Sequence, residues 1–245
     1  EKHIAPACII DIKHIGGLDY IDYDPKEGLR IGALTRLRDI EKSELVKNEY
    51  KAVSDAAHYV ASTQVRAKGT MTGNVVNASP SADTVPVLIA LEASLKVSGT
   101  EGERVIPMDS FYTGFKQTAL KPGEIVTDIL IPAKRRNEHS AYIKHAVRKA
   151  MDLAIVGVAA RFTVEDNVVK DARIVLGAVA VTAVRSPKAE AELIGKELTE
   201  ETIVKASVAA MEDCNPISDV RASAEYRKDM IRVFTKRAIK KAMED

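Results

Sequence analysis

The sequence predicts an α+β protein, and three observations predict it. The first half carries short apolar runs bounded by Gly, Pro, Asn and Asp and interrupted by helical stripes. Residues 141–181 hold three long apolar and β-branched runs. From Pro187 onward the apolar residues recur at helical spacing. A chain of 245 residues holds one large domain or two modest ones. The basic, polar run Lys134, Arg135, Arg136, Asn137 and Glu138 marks the expected boundary, giving domains over 1–133 and 138–245.

Taken in order, residues 7–12 read as a short strand, with Ile9, Ile10 and Ile12 apolar. Gly16 and Gly17 break it, as a turn rather than a phosphate loop, because no helix start follows closely. Residues 20–23 and 29–33 read as a hairpin joined by Asp24, Pro25 and Gly28. Thr35 is placed to cap a short helix carrying Leu37, Ile40, Leu45 and Val46. A second helix over 51–61 turns Val53, Ala56, Ala57 and Val60 to one face. His58 lies on that helix without a second ligand type nearby, and reads as a surface or satisfied histidine. After a small-residue stretch, residues 84–91 form an apolar helix, with Pro86 tolerated in its first turn and Asp83 at its N-cap. Strands follow at 93–97 and 104–106, then a helical turn at 109–113, then an alternating strand at 125–131 closed by Pro132.

Beyond the boundary, residues 141–147, 153–164 and 168–181 read as three strands, the last two joined by Asp166 and Asn167. Pro187 opens a helix after Ser186, and Thr199 caps another that runs to about residue 211. The final helix, 223–242, has Tyr226, Met230, Val233, Phe234, Ala238 and Ala242 as its expected buried stripe.

Charge is nearly balanced, Lys and Arg numbering 36 against 35 Asp and Glu, and no basic block alternates with aromatics; this excludes a nucleic-acid partner. No apolar run approaches the roughly 20 residues of a membrane helix. Cys8 and Cys214 are far apart and outside any paired metal-ligand spacing, so both read as small buried side chains in a reducing cytoplasm.

The densest cluster of small polar residues runs from Gln64 through Gly69, Thr70, Met71, Thr72, Gly73, Asn74 and Asn77 to Ser79, Ser81 and Asp83. Gly69 and Gly73 permit close backbone approach, and such a run can form a nest for an anion such as phosphate. It matches neither the three-glycine dinucleotide fingerprint nor the loop ending in Gly-Lys-Ser/Thr. From spacing alone, an anion cradle and an ordinary surface turn are equal readings.

Several ordered motifs together are more specific. Thr63, Gln64, Val65 and Arg66 precede Gly69 and Thr70, then Gly73 and Asn74, then Ala78, Ser79, Pro80, Ser81, Ala82 and Asp83. Phe111, Tyr112, Thr113 and Gly114 follow, with Lys116, Thr118 and Leu120, then Pro122, Gly123, Glu124, Ile125 and Val126. Asp152, Leu153, Ala154, Ile155 and Val156, and later Ser223, Ala224, Glu225, Tyr226 and Arg227, complete the series. In this order the chain resembles the FAD-binding medium subunit of the molybdenum hydroxylases, the carbon monoxide dehydrogenase and xanthine dehydrogenase family, over nearly its whole length.

The resemblance implies an FAD-binding domain of the type shared with vanillyl-alcohol oxidase-like flavoproteins, then a three-stranded antiparallel sheet with a helical bundle. It implies that Thr70, Met71, Thr72, Gly73 and Asn74 bind the FAD pyrophosphate. It places Asp83 by the ribityl chain, Val126 beside the flavin or adenine, and Lys144 by the isoalloxazine. A cation there would stabilise a reduced, anionic ring, and a carboxylate accepts from ribityl hydroxyls. No residue is implied as a catalytic acid, nucleophile or metal ligand. The implied partners are a molybdenum-binding large subunit and an iron–sulfur small subunit in a heterohexamer, cytoplasmic and at the inner face of the membrane through the complex. Electrons would pass from iron–sulfur clusters through FAD to an acceptor such as NAD⁺, a quinone or O₂; the substrate would bind in another subunit.

Two departures from the family pattern bear on FAD. Thr72 stands where many relatives have a first glycine of a Gly-Gly pair. Relatives also begin with a strand, a helix and a loop of the type Ala-Gly-Gly-Thr-Asp-Leu that holds the other side of the pyrophosphate, and nothing of that type precedes Cys8. About 50 residues of the FAD-binding domain are therefore expected to lie outside this sequence, and FAD binding by this chain alone is expected to be weak. Two alternatives stay open: an assembly subunit that no longer binds FAD, and a stand-alone FAD oxidoreductase.

Overall fold

The computed structural model describes residues 6–244. Residues 1–5 and 245, at the outer ends of the two expected domains, lie outside the described residues.

The first hairpin is β1 (Ile21–Asp24) and β2 (Gly28–Gly32). Gly28 has φ +104°, and a Cβ there would come within 2.1 Å of the Ile131 carbonyl, so only glycine lets the hairpin lie against its neighbour strand. Three helices follow, α1 (Leu37–Lys42), α2 (Glu44–Glu49) and α3 (Lys51–Tyr59). Three shorter ones come next, α4 (Thr63–Arg66), α5 (Met71–Val76) and α6 (Thr84–Ala90). The chain then makes β3 (Ser94–Gly99), β4 (Gly102–Pro107), a 3₁₀ turn at Met108–Ser110, the small hairpin β5 (Tyr112–Gly114) and β6 (Gln117–Thr118), and β7 (Ile125–Ile131). The five-stranded sheet has the order β1-β2-β7-β3-β4, every neighbouring pair antiparallel. The predicted hairpins and the strand 125–131 fall where the alternation and turn residues put them.

The second sheet contains β8 (Glu138–His145), β9 (Val156–Glu165), β10 (Val168–Gly177) and β11 (Val184–Arg185) in the order β11-β10-β9-β8. It holds the three predicted long strands and adds a two-residue fourth. Asp166 and Asn167 both take positive φ between β9 and β10, as a two-residue hairpin turn requires. Helices α7 (Pro187–Leu193), α8 (Glu200–Ala209) and α9 (Ala224–Glu244) cover one face, and Thr199 forms a reciprocal capping box with Thr202 at the start of α8. The other face meets the first half. Tyr142, Ala159 and Val175 belong to the first core, while Val158, Ala160 and Ile174 belong to the second. A sheet buried on both faces reads as a continuous apolar run, which is how β9 appears in the sequence.

Helix α6 lies in the seam between the halves. A Cβ at Gly177 would reach Pro86 Cγ at 2.8 Å, so glycine lets this helix approach the second sheet.

Several expectations are corrected. Residues 7–12 form no strand; Ile9 and Ile10 are 84% and 82% exposed, and no described strand pairs with them. Cys8 is exposed, whereas Cys214 is buried as expected. Thr35 caps nothing: its hydroxyl donates to the Tyr20 carbonyl at 2.8 Å and accepts from the Tyr20 N–H at 3.1 Å, while α1 begins after Arg36. Residues 153–155 and 178–181 are loops at the ends of shorter strands. In α9 the buried side chains are Arg227, Ile231, Phe234, Thr235, Ala238, Ile239 and Ala242, while Tyr226 is 42% exposed.

Candidate functional site

The small-residue stretch is not a loop. Ser62 caps α4 by accepting from the Val65 N–H at 3.3 Å, and Thr70 caps α5 by accepting from the Gly73 N–H at 2.9 Å. Arg66 anchors the approach: it is buried, its Nε donates to Glu41 at 2.8 Å and its Nη1 to the Val60 carbonyl at 3.0 Å. His58 Nδ1 donates to the same carboxylate at 2.9 Å, the satisfied role expected of it. Burial pushes the Glu41 carboxyl up, but Arg66 and His58 outweigh it and hold the group below its ordinary range.

Thr70 is tied to the segment after β2 by a single bridge with Arg36, with the Leu37 N–H donating to the Gly69 carbonyl at 2.9 Å and the Met71 N–H to the Thr35 carbonyl at 3.4 Å. Beside this bridge is a cavity of about 400 Å³ lined by Gly16, Gly17, Asp19, Arg36, Lys68 and Thr70 among others. The Gly16–Gly17 turn therefore faces the predicted anion-binding segment.

Of the predicted donors, the Gly73 and Asn74 N–H groups are spent inside the α5 cap, on the Thr70 hydroxyl and carbonyl. Among the described residues, the N–H groups of Thr70 and Thr72 have no protein acceptor. Thr72 is buried and its hydroxyl has no partner. Gly73 is exposed, and a Cβ built there would meet only the Thr70 hydroxyl, at 3.0 Å. Met71 points into the first core. These residues fit an anion: open backbone donors and a face with no side chain in the way. The Thr72 Cβ does not occupy that face, because the side chain turns inward.

Asn74 leads from this turn to the second part of the site. Its Oδ1 accepts from Thr84 Oγ1 at 2.7 Å, joining α5 to the first residue of α6. Asp83 precedes it. Its side chain does not cap α6; it is buried and turned across the seam, where Oδ1 accepts from the Tyr142 hydroxyl at 2.9 Å and Oδ2 pairs with Lys144 Nζ at 2.8 Å. Lys144 also donates to the Tyr59 carbonyl at 3.0 Å. Burial pushes the Asp83 carboxyl up, against the pull of Lys144 and Tyr142, and burial raises the Tyr142 phenol well above its ordinary range. Two predicted site residues separated by 61 positions are thus one ion pair. Lys144 lines a cavity of about 360 Å³ with Tyr59, His145 and Arg148. An adjacent cavity of about 350 Å³, sharing Tyr59 and Lys149, is lined by Gln64 and Arg66.

Val126 is buried in the first core, paired across the sheet with Val97. Tyr142, Arg66 and Glu41 were not among the predicted site residues. Tyr142 shares a strand face with Lys144 at the two-residue period, the one sequence signal that could have found it.

Comparison with known proteins decides what the site belongs to. Residues 1–134 match the family model described as the FAD binding domain in molybdopterin dehydrogenase, and residues 141–242 match the CO dehydrogenase flavoprotein C-terminal domain. The chain belongs to the FAD-binding medium subunits of the molybdenum hydroxylases. It is 34% identical to the carbon monoxide dehydrogenase medium chain of Hydrogenophaga pseudoflava, over 97% of this chain and 82% of that one. It is 32% identical to the glyceraldehyde dehydrogenase medium chain of Sulfolobus acidocaldarius, over 97% and 83% respectively. Among solved structures, carbon monoxide dehydrogenase from Hydrogenophaga pseudoflava superposes with a TM-score of 0.88 at 33% identity, covering 93% of this chain and 78% of that one. Quinoline 2-oxidoreductase from Pseudomonas putida 86 superposes at 0.91 with 27% identity, covering 98% and 83%. As a medium subunit of this family, the chain is an FAD-binding oxidoreductase subunit of a multi-subunit molybdenum-containing complex. No described helix is long and apolar enough to cross a membrane.

Proposed function

We propose that this medium subunit carries electrons from an iron–sulfur subunit through FAD to an external acceptor, while substrate is oxidised on a molybdenum-binding subunit. It does so as two domains, residues 1–133 and 138–245, in a cytoplasmic heterohexamer associated with the inner face of the membrane through the complex. The observation that carries this reading is the hydrogen bond from Thr84 to Asn74, which joins the open donors of α5 to the buried Asp83–Lys144 pair. One end suits a pyrophosphate and the other suits the polar and redox-active end of a flavin dinucleotide.

FAD, when bound, supplies the redox chemistry, taking electrons singly or in pairs. This chain's residues bind, orient and tune it. The N–H groups of Thr70 and Thr72 would hold the pyrophosphate, Gly73 leaving the face open and Met71, Thr72 and Asn74 fixing the turn. Asp83 and Lys144 would stand by the ribityl and ring portions. Val126, buried on β7, would support the sheet beside the flavin or adenine portion.

Titrating the purified chain with FAD, read by flavin emission or by quenching of tyrosine because the protein has no Trp, tests the proposal. Gly73→Val places bulk on an exposed face at the turn, so FAD affinity is expected to fall at least tenfold with helix content unchanged. Equal affinity in the two proteins would put the pyrophosphate elsewhere.

A further inference from the structure

We propose that Tyr142 is a positioning residue for the flavin site: its hydroxyl fixes the Asp83 carboxylate against Lys144, so that a paired cation faces the neighbouring cavity in a set orientation. This rests on the flavin reading above for its redox consequence, but not for its geometry.

Three observations carry it. First, the contact is deep. Tyr142 is 1% exposed, and its hydroxyl donates to Asp83 Oδ1 at 2.9 Å from the middle of β8. A buried phenol needs a partner, and here that partner is the one carboxylate that also meets Lys144. Second, the surrounding groups are used up in one direction. Asp83 divides its two oxygens between Tyr142 and Lys144, and Lys144 gives one N–H to Asp83 and one to the Tyr59 carbonyl. An ammonium has three donors, so one remains, on a residue that lines the 360 Å³ cavity. Third, the fold leaves room for this phenol alone. A Cβ at Gly157, on the adjacent strand, would lie 2.6 Å from the Tyr142 hydroxyl, while the Tyr59 ring packs edge-on at 5.9 Å and Lys241 Nζ meets the Tyr142 carbonyl at 3.3 Å.

The physical consequence concerns charge. Burial disfavours both members of an ion pair, and the pair stays ionised only while hydrogen bonds complete it. The phenol supplies the bond that the carboxylate would otherwise lose with water. Without it, Asp83 takes up a proton more readily, and Lys144 loses its fixed counter-ion beside the cavity. A cation near the ring favours added negative charge on it, and a cation whose carboxylate partner is neutralised is less compensated, so the flavin becomes easier to reduce. Tyr142 touches neither FAD nor a reacting atom in this arrangement; it acts through Asp83.

The test has two arms on the full chain. In the FAD-free protein carrying ¹³C-labelled aspartate, Tyr142→Phe is expected to move the Asp83 titration to higher pH. Unchanged titration overturns the proposal whether or not FAD binds. Failure of wild type to bind FAD sinks the flavin reading instead, and leaves this arm readable. In the FAD-loaded protein, Tyr142→Phe is expected to shift the reduction equilibrium about tenfold toward reduced flavin, about 30 mV for a two-electron couple. Because the phenol acts through the carboxylate, Tyr142→Phe combined with Asp83→Asn should shift no further than Asp83→Asn alone. Additive shifts overturn the proposal. If Tyr142→Phe does not fold, fluorotyrosine incorporation gives a stronger donor of nearly the same shape and should move the Asp83 titration to lower pH; no movement overturns it equally.

Discussion

Helix α6 has an ionic cluster at each end, the first buried and the second built round the buried Arg161, and the two do different things. At its start, Asp83 meets Lys144 and Tyr142. Just past its end, Glu92 meets Arg135, Arg161 and Arg173, which also hold Asp171 and Asp109. Both bridge the first half to the second sheet. Both also suit the helix dipole, with a carboxylate at the N-terminal end and guanidiniums at the C-terminal end. Arg161 Nε donates to the Ala90 carbonyl at 3.2 Å, a carbonyl in the last turn of the helix, and Arg173 adds a bond of 3.4 Å to the Ile89 carbonyl, which already accepts from the Glu92 N–H.

The difference lies in what each cluster leaves unspent. In the Arg161 cluster the guanidiniums are divided among four carboxylates, Glu138 included, and backbone carbonyls. Burial pushes Asp171 up, but Arg161 outweighs it and holds the group below its ordinary range. That cluster is a lock. The Asp83 cluster is smaller and one charge on each side. Burial there dominates and raises the carboxyl, and one ammonium proton is left over beside a cavity. An ionic cluster that is complete holds domains together; one that is nearly complete, and poised against burial, can serve a ligand.

The largest effect that separates the two is Arg161→Ala. It removes the buried guanidinium at the centre of the network and leaves a void, while Glu92 keeps Arg135 and Arg173 and Asp171 keeps Arg135, so the cost falls at the low end for a buried ionic partner, about 3 kcal/mol. Urea unfolding should show that loss, with FAD affinity of the folded protein unchanged. A similar loss of affinity would mean that the lock also shapes the site.

Lys144→Met reverses the balance. It is expected to abolish tight FAD binding and to leave Asp83 buried without its cation. The carboxyl, already raised above its ordinary value by burial, would rise further. The sign is then fixed: a folded-state carboxyl above its unfolded value contributes stability below the unfolded value, and loses it as pH rises through the folded one. The variant should therefore unfold more easily at pH 7 than at pH 5. Adding Asp83→Asn should restore part of the lost stability, because removing both charges costs less than stranding one. Additive destabilisation of the two substitutions would deny that they form one unit.

The same contrast explains what could be read from the sequence. The hairpins, strand 125–131, the Asp166–Asn167 turn and the Thr199 cap all follow from local pattern, and all are present. The ordered motifs identified the family and the residues that the structure brings together at α5 and across the seam. Pattern failed where a side chain's role is set from far away. Asp83 looked like a cap and is a cross-seam counter-ion. Arg227 lies outside the expected buried stripe of α9, yet it is buried, donating to the Ile155 carbonyl at 2.6 Å and pairing with Asp219 at 2.9 Å; the first half of the stripe runs through Arg227 and Ile231 instead of Tyr226 and Met230, while Phe234, Ala238 and Ala242 are buried as expected. Residues 63–76 looked like loop because their small, polar composition hides two short capped helices. Ile9 and Ile10 looked like strand, but a strand requires a neighbour to pair with.

The smallest effect belongs to an ion pair away from the seam. Arg104 reaches Glu124 with two bonds of 2.8 Å, and the Lys121 N–H adds a third at 2.6 Å. Arg104 and this N–H hold the Glu124 carboxyl down at about 2, below its ordinary value of 4.5. A lowered folded-state carboxyl contributes stability above the unfolded value and loses it as pH falls toward the folded one. Part of the acid destabilisation between pH 4.5 and about 2 is therefore assigned to this fork. Arg104→Ala should flatten that part of the stability curve by lowering stability at neutral pH and leaving it unchanged near pH 2, and the loss should be small, since solvent screens exposed pairs. Thermal melts of the two proteins across that range measure it. An acid limb identical to wild type would place the titrating carboxylates elsewhere, with Asp171, which Arg161 also holds below its ordinary range, the first candidate.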